Sequence, residues 1–306
     1  MLSIKENVPL RELTTFKIGG PARYYVEVKT ESEIKEALNW ARTRKLPHVV
    51  LAGGSNVLVP DDGLEALMIR LVSNKHSFQG ASLVADAGCN LLDLIRNASI
   101  LGLGGWEKLS GIPGTIGGAV RGNAGAFGTE IKDVCTLVRA LDCNSMEIRE
   151  FKNEECAFAY RNSFFKHHPE WIILNVVLLL KKTDGAKSAK LGEETIAERE
   201  RRHLQNVRAA GSYFMNPVAP AHVIEMFETE KQVKSRENRV PAGWLIEKAG
   251  MKGASVGGAI ASLQHPNYIV NMGNATSRDV LELARDVKTA VSEKFGVELH
   301  EEAVVL

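Results

Sequence analysis

The stretch of sequence that decides the fold is GIPGTIGGAVRGNAGA, residues 111–126. Glycine recurs in it every one to four residues, yet most residues between are Ile, Val, Ala and Thr rather than the serine of a flexible linker. A folded chain uses glycine where a side chain would not fit or where φ is positive. A concave row of bare backbone N–H groups is typical of a phosphate or diphosphate site. The alternative interpretation is a set of tightly packed turns in a large sheet.

A second glycine turn occurs at LAGGSN, residues 51–56, between the apolar segments 49–51 and 57–59. This pattern predicts a strand, a tight polar turn and a returning strand. Neither glycine segment is a Walker A loop, since no Gly-Lys-Ser/Thr follows, and neither opens a helix with the Gly-x-Gly-x-x-Gly fingerprint. We therefore predict a dinucleotide held by two separate glycine turns.

Composition narrows the class of protein. At 306 residues the chain is long enough for two or three domains, and 44% hydrophobic and 25% charged residues are typical of a globular core. A net charge of +1 argues against a nucleic-acid partner. The cysteines and histidines show no metal-ligand spacing, so we expect free thiols and no metal site. Because no apolar run reaches membrane-spanning length, we expect a cytoplasmic protein without a membrane partner.

Alternating strand and helix patterns fill the first third of the chain. Residues 24–51 predict a β-α-β unit whose helix begins with a capping box led by Thr30. The charged stretch Glu193–Arg202 has few apolar residues and predicts a domain boundary; the alternative is the solvated face of a helix. A shorter α/β unit follows, with a final helix capped by Thr276 and a closing strand at Val297–Leu306.

Three polar residues in apolar surroundings are candidates for chemistry. Arg161 is flanked by aromatic residues, and such a guanidinium typically binds a carboxylate or phosphate; the alternative is an ion pair with Glu154 or Glu155. Ser212 follows a glycine at a turn and is a candidate hydrogen-bond or proton donor, or simply a helix cap or serine turn. Glu302 leads into an apolar tail and is a candidate acid, or an exposed terminal charge.

Several motifs, in order along the chain, resemble those of the UDP-N-acetylenolpyruvoylglucosamine reductase family, whose flavoenzymes make UDP-N-acetylmuramate for peptidoglycan. The resemblance runs nearly end to end, and the short segment between Tyr160 and Ser212 resembles the compact subclass that lacks an inserted tyrosine loop. The matching segments are TTFKIGGPA (14–22), LAGGSN (51–56), GIPGTIGGAV (111–120), NAGAFG (123–128), Tyr160-Arg161-x-Ser163, GSYF (211–214) with Asn216-Pro217, and AGWLIEKAG (242–250).

The resemblance implies an α+β fold. An FAD-binding region of the vanillyl-alcohol-oxidase (PCMH) type, made of two α/β subdomains, would precede a smaller α/β substrate-binding domain. We expect the subdomains at 1–71 and 72–200, the second completed by 297–306, and the substrate domain at 201–296. In the family, glycine segments hold FAD, which here implies Gly53, Gly54, Ser55, Asn56, Gly111, Pro113, Gly114, Thr115, Gly117, Gly118, Asn123 and Gly125.

The resemblance also implies the reaction. NADPH would reduce FAD, and hydride would pass to the enolpyruvyl group of a UDP sugar, a small-molecule substrate. Arg161 and Glu302 would stabilise the enolate and Ser212 would protonate it. The substrate contacts implied are Tyr160, Asn216 and Asn267. The oligomeric state stays open, and a monomer is compatible with the sequence.

Two departures from the family pattern keep alternatives open. Met215 stands where the family usually has lysine, which removes a cation from the serine segment. Glu301 adjoins Glu302 without the proline that usually fixes the register, so the catalytic glutamate rests on the family alignment alone. The alternatives are another flavin oxidoreductase on the same scaffold and a non-catalytic flavin-binding regulator.

Overall fold

A computed structural model of the chain describes residues 2–202 and 207–306. Its contacts divide the chain into two compact units. The first unit comprises Met1–Val8, Ala22–Gly54 and Glu65–Arg201, and the second comprises Pro9–Pro21, Ser55–Leu64 and Arg202–Leu306. The chain therefore passes from one unit to the other inside the glycine turn 51–56.

The regular elements are numbered here in chain order. The strands are β1 (Lys5–Pro9), β2 (Pro21–Val28), β3 (His48–Leu51), β4 (Val57–Leu58), β5 (Leu64–Leu71), β6 (His76–Gln79), β7 (Ser82–Asp86), β8 (Leu103–Gly104), β9 (Gly125–Ala126), β10 (Thr129–Glu130), β11 (Cys135–Asp142), β12 (Ile148–Lys152), β13 (Trp171–Leu179), β14 (Lys181–Lys182), β15 (Ser255–Val256), β16 (Ala259–Ala261), β17 (Ile269–Asn271) and β18 (Val304–Val305). The α-helices are α1 (Glu31–Thr43), α2 (Leu91–Ile100), α3 (Ile116–Gly122), α4 (Phe164–His167), α5 (Gly185–Arg202), α6 (Ala221–Lys231), α7 (Ala242–Lys248) and α8 (Ser277–Phe295). Short 3₁₀ helices lie at Leu10–Leu13, Glu107–Leu109, Ile131–Asp133 and Asn153–Cys156.

The first unit is built on two sheets. One has the strand order β1-β2-β5-β3, and β3 pairs parallel with β5. The other is antiparallel, in the order β12-β11-β13-β7-β6. The predicted β-α-β unit is present as β2-α1-β3, but β5 lies between its two strands in the sheet.

Helix α1 shows why these residues fold as they do. The Thr30 side chain accepts a hydrogen bond from the Glu33 backbone N at 3.2 Å, and the Glu33 carboxylate accepts one from the Thr30 N, which completes the predicted capping box. Apolar residues at helical spacing, including Ile34 and Leu38, are buried against Leu141 and other residues of a shared core. The helix is therefore fixed both by its cap and by one apolar face.

The second unit has its own core around α8. A capping box at Thr276 begins this helix and Gly296, with φ of +64°, ends it, as predicted. The small sheet β15-β16-β17 packs against α8. The closing strand is much shorter than predicted, because the tail pairs first with the segment 213–215 and then, through β18, parallel with β4. These contacts place 297–306 in the second unit.

Neither a membrane-crossing helix nor a cluster of three metal-ligating side chains occurs within residues 2–202 and 207–306. The four cysteines are free and buried, as the sequence predicted. Burial raises the pKa of the Cys89 and Cys143 thiols to about 11 and that of the Cys135 and Cys156 thiols to about 12. These thiols are consequently protonated and unreactive at neutral pH.

Candidate functional site

The two glycine turns approach each other through bare backbone in the first unit. A Cβ built on Gly53 would lie 2.7 Å from the Cα of Gly114. Gly54 and Gly114 have φ of +65° and +123°, conformations that favour glycine. Any side chain at Gly53 would force these two main-chain segments apart. Main-chain N–H groups of glycine turns are the kind of donor that binds a diphosphate, so the turns are compatible with the dinucleotide predicted from sequence.

Some members of the glycine run have packing roles instead. Gly117 donates its N–H to the Ala87 carbonyl at 3.0 Å, and a Cβ there would lie 2.6 Å from the Ala87 Cβ. Asn123 ends α3 with φ of +43°, and its fully buried amide donates to the Ala159 carbonyl at 2.8 Å and accepts from the Lys132 N at 3.2 Å. For these two residues the tight-turn interpretation explains the choice of amino acid without a ligand.

Helix α3 begins immediately after the turn. The Thr115 side chain caps it by accepting from the Gly118 N at 3.3 Å, and the Gly114 carbonyl accepts from Leu91 N at 3.1 Å. Pro113 and Gly118 are exposed and Gly111 is half-buried, so these positions remain accessible to a ligand.

Arg161 lies at a tight hairpin in the same unit. Ala159 and Asn162 exchange two backbone hydrogen bonds of 3.1 and 3.0 Å, which leaves Tyr160 and Arg161 at the tip, with Arg161 at φ of +53°. The Arg161 guanidinium donates to the Gly125 carbonyl at 2.8 Å. Its central carbon lies 5.1 Å from the centre of the Tyr160 ring. The guanidinium is therefore anchored on the end of the glycine run.

The proposed ion-pair alternative for Arg161 receives no support from Glu155. The Glu155 carboxylate binds Arg149 at 2.6 Å and also accepts from the Lys152 backbone N at 2.9 Å. These bonds, led by the one to the Lys152 amide, hold the pKa of Glu155 below its usual range.

Ser212 lies in the second unit, after Gly211 with φ of +78°. Its side chain is half-buried, and the hydroxyl forms no hydrogen bond with any residue that the structure describes. The structure thus gives it neither a helix-capping nor a turn-capping bond, the two bland interpretations of the sequence. A hydroxyl in this state is available to a ligand.

The segment that follows Ser212 is clamped by Asn267. The Asn267 side chain accepts from the Phe214 N and donates to the Phe214 carbonyl, both at 2.9 Å, and its own carbonyl accepts from the Tyr213 N at 2.7 Å. Asn267 is 3% exposed. Its amide therefore shapes the serine segment. Asn216 similarly joins this segment to α7, because its Oδ1 accepts from the Ala242 N at 3.0 Å.

The C-terminal tail runs beside the same segment. The Glu302 N donates to the Tyr213 carbonyl at 2.7 Å, and the Met215 N donates to the His300 carbonyl at 2.9 Å. Since Tyr213 follows Ser212 directly, these bonds bring the main chains of Glu302 and Ser212 onto neighbouring segments. Glu301 instead forms an ion pair with Lys288 of α8 at 3.0 Å. Its carboxylate is held against α8, and Glu302 stays the candidate acid on the family register alone.

Sequence reasoning missed the bond that joins the second glycine turn to this tail. The Asn56 side chain, predicted to bind the cofactor, donates to the Glu302 carbonyl at 3.0 Å across 246 positions of sequence. It also missed the buried Tyr213 hydroxyl, which has no hydrogen-bond partner in the described part of the chain. Burial, helped by the Glu301 carboxylate, raises the pKa of Tyr213 to about 12. No local sequence signal could have found either feature.

Comparison with known proteins identifies the family. The family model for the C-terminal domain of UDP-N-acetylenolpyruvoylglucosamine reductase matches residues 202–306, and that of an FAD-binding domain matches residues 22–149. A curated UDP-N-acetylenolpyruvoylglucosamine reductase from Solibacter usitatus is 35% identical, over 98% of this chain and 96% of the relative. Another from Caldanaerobacter subterraneus is 36% identical over 98% and 92%. The chain belongs to the UDP-N-acetylenolpyruvoylglucosamine reductase family.

A solved structure of the family agrees with this assignment. The reductase from Thermus caldophilus superimposes with a TM-score of 0.79 at 33% identity, covering 100% of this chain and 99% of that one. Membership confirms the predicted α+β fold with an FAD-binding region, and makes the chain an FAD-dependent oxidoreductase whose reductant is NADPH. The individual roles of the site residues stay predictions.

Proposed function

We propose that this chain reduces the enolpyruvyl ether of UDP-N-acetylglucosamine to UDP-N-acetylmuramate, a step of peptidoglycan synthesis, in the cytoplasm. The observation that carries the proposal is the pairing of the Glu302 main chain with Tyr213 beside the unbonded Ser212 hydroxyl. A carboxyl group and a free hydroxyl on neighbouring segments suit the protonation of an enolate. Family membership supplies the substrate class.

The cofactor fits the residues present. Bare main chain at Gly53, Gly54 and Gly114 would hold the diphosphate of FAD, since a Cβ at Gly53 would push the two turns apart. The exposed Gly118 at the start of α3 would let the cofactor approach the backbone. When bound, FAD accepts hydride from NADPH and supplies it to the substrate.

The chain's own residues would stabilise and protonate the reduced substrate. Hydride addition to an enol ether conjugated with a carboxylate places negative charge on that carboxylate. Arg161 and a protonated Glu302 would stabilise this charge, and one preorganised donor of this kind typically lowers a barrier by roughly 3 kcal/mol. Ser212 would then donate its proton to the carbon next to the carboxylate. Because a serine hydroxyl is a weak acid, this proton has to be replaced from a neighbouring group or water.

FAD binding and substrate binding can be assigned to different parts of the chain. We assign FAD binding to the first unit, with its two sheets as the two subdomains, and substrate binding to the residues 201–296. Tyr160 and Asn216 remain candidate substrate contacts. Within the described chain the geometry gives Asn267 a structural role first, through its two bonds to Phe214. Met215 would offer the substrate an apolar contact at the position where the family usually has a lysine.

The proposal is tested by assaying the purified, FAD-loaded protein. NADPH oxidation should depend on the enolpyruvyl UDP sugar and should yield one reduced sugar per NADPH. An inert protein that binds FAD would favour a flavin-binding regulator. Turnover with a different acceptor, but not with the UDP sugar, would favour another oxidoreductase on the same scaffold.

A further inference from the structure

Asn56 of the second glycine turn is bonded to the C-terminal tail at two points. Its side-chain Nδ2 donates to the Glu302 carbonyl at 3.0 Å, and its backbone carbonyl accepts from the Val304 N at 3.0 Å. Asn56 therefore forms hydrogen bonds with the tail on both sides of Ala303. Its Oδ1 accepts no hydrogen bond from any residue within 2–202 and 207–306.

The other side of Glu302 is held as well. Its N–H donates to the Tyr213 carbonyl at 2.7 Å, so both peptide groups of the glutamate are fixed, one by Tyr213 and one by Asn56. The tail has no long strand that could supply this order, because β18 covers Val304–Val305 alone. The position of the Glu302 main chain thus depends on individual hydrogen bonds.

We propose that Asn56 is a positioning residue for Glu302, which ties the placement of the acid to the flavin-binding turn. Asn56 follows Gly54 by two residues and holds the Glu302 carbonyl through its side-chain amide. The inference rests on the proposed function of Glu302 as an acid. Misplacing a catalytic group by about 1 Å can cost on the order of a hundredfold in rate, so the loss of the Asn56 bond should show in the step that uses Glu302.

The test uses the FAD-loaded protein and follows the flavin spectrum in two separate reactions. In Asn56→Ala at saturating FAD, reduction of the flavin by NADPH without the UDP sugar reports any damage to the cofactor site, because Asn56 is itself a predicted cofactor contact, and it should slow less than the reoxidation step. Reoxidation by the enolpyruvyl UDP sugar should slow by about 10- to 100-fold. Amide hydrogen exchange at Glu302 and Val304 should be faster in the variant, while exchange in α8 is unchanged.

A double-mutant cycle separates positioning from general structural damage. If Asn56 acts through Glu302, then Asn56→Ala should slow reoxidation less than about twofold in a Glu302→Gln background. A matched control is Asn153→Ala in the first unit, which removes two amide bonds to backbone carbonyls, at 2.9 Å to Lys132 and 2.7 Å to Cys135. This control should leave both reactions unchanged.

The outcomes distinguish the two proposals. Three results would each overturn the positioning role of Asn56. The first is that Asn56→Ala slows reoxidation as much in the Glu302→Gln background as in the wild type. The others are unchanged reoxidation in Asn56→Ala, and a variant that binds FAD more weakly but reoxidises normally at saturating FAD. A Glu302→Gln variant that reoxidises at the wild-type rate would instead overturn the acid role of Glu302, and with it that part of the proposed function.

Discussion

Replacing Gly53 with alanine tests whether the close approach of the glycine turns makes the cofactor site. The new methyl carbon would lie 2.7 Å from the Gly114 Cα and 3.4 Å from the Gly114 carbonyl carbon. Carbon atoms pack best at roughly 3.5–4.0 Å, so the overlap is about 1 Å. Both partners are main chain and cannot rotate away, so the turns must separate.

The cost can be converted into an affinity. Overpacking of this kind typically costs about 1–3 kcal/mol. If the strain is relieved when the turns separate and returns when FAD draws them together, FAD affinity falls by about 5- to 150-fold. The assay is a titration of the apoprotein with FAD, followed by flavin fluorescence, with circular dichroism to show that the fold is kept.

Gly122→Ala is the matched control. It lies in α3, and a Cβ there would meet no heavy atom within 4 Å. Alanine should leave FAD affinity unchanged and raise stability by up to about 1 kcal/mol, because glycine is unfavourable in a helix. Wild-type FAD affinity in Gly53→Ala would refute the idea that the seam between the two turns is what holds the cofactor.

Three further substitutions test the second unit. Ser212→Ala should lower turnover about 10²- to 10⁴-fold while FAD stays bound, measured by NADPH oxidation with the UDP sugar; near-normal turnover would remove serine from the proton step. Asn267→Ala should destabilise the fold by roughly 2–5 kcal/mol in denaturant unfolding, because it leaves the Phe214 N and carbonyl without partners; a raised KM at unchanged stability would mean a substrate contact instead. Tyr213→Phe should be as stable as the wild type or more so at pH 7, because it removes a buried hydroxyl without a partner in the described chain. The folded-state pKa of Tyr213, about 12, lies above the unfolded value near 10, so ionisation of the tyrosine in the unfolded state lowers the free energy of unfolding as the pH rises from 10 towards 12. The phenylalanine variant should therefore lose less stability across that window in unfolding experiments at a series of pH values.

Local patterns predicted the elements well. The capping boxes at Thr30 and Thr276 and the apolar stripes that follow them depend on residues three or four apart, which can be read directly from sequence. The C-terminal tail, residues 297–306, is where prediction from local patterns failed. Its alternating residues suggested one long strand, but pairing with the distant segment 213–215 and with β4 decides its path. Such tertiary contacts override local propensity.

The candidate site divides in the same way. Glycine turns and the free Ser212 could be found from residue type and spacing, since both depend on local backbone. The choice between Glu301 and Glu302 could not, because the local pattern treats both alike and the ion pair of Glu301 with Lys288 comes from the distant α8. The resemblance implied that Asn267 contacts substrate, and the structure shows a buried side chain that holds the Phe214 backbone, which no local pattern predicted.

The glycine run itself contains two kinds of residue that sequence cannot separate. Gly117 is required by the protein, since a Cβ would lie 2.9 Å from the Ala87 carbonyl oxygen. Gly118, the next residue, would place its Cβ at an ordinary 3.5 Å from the Ala52 Cβ and is exposed. Glycine at a helical position is destabilising by about 0.5–1 kcal/mol relative to alanine. The fold does not require this glycine, and its exposed backbone suits a ligand that approaches closely, which is the role FAD would have here.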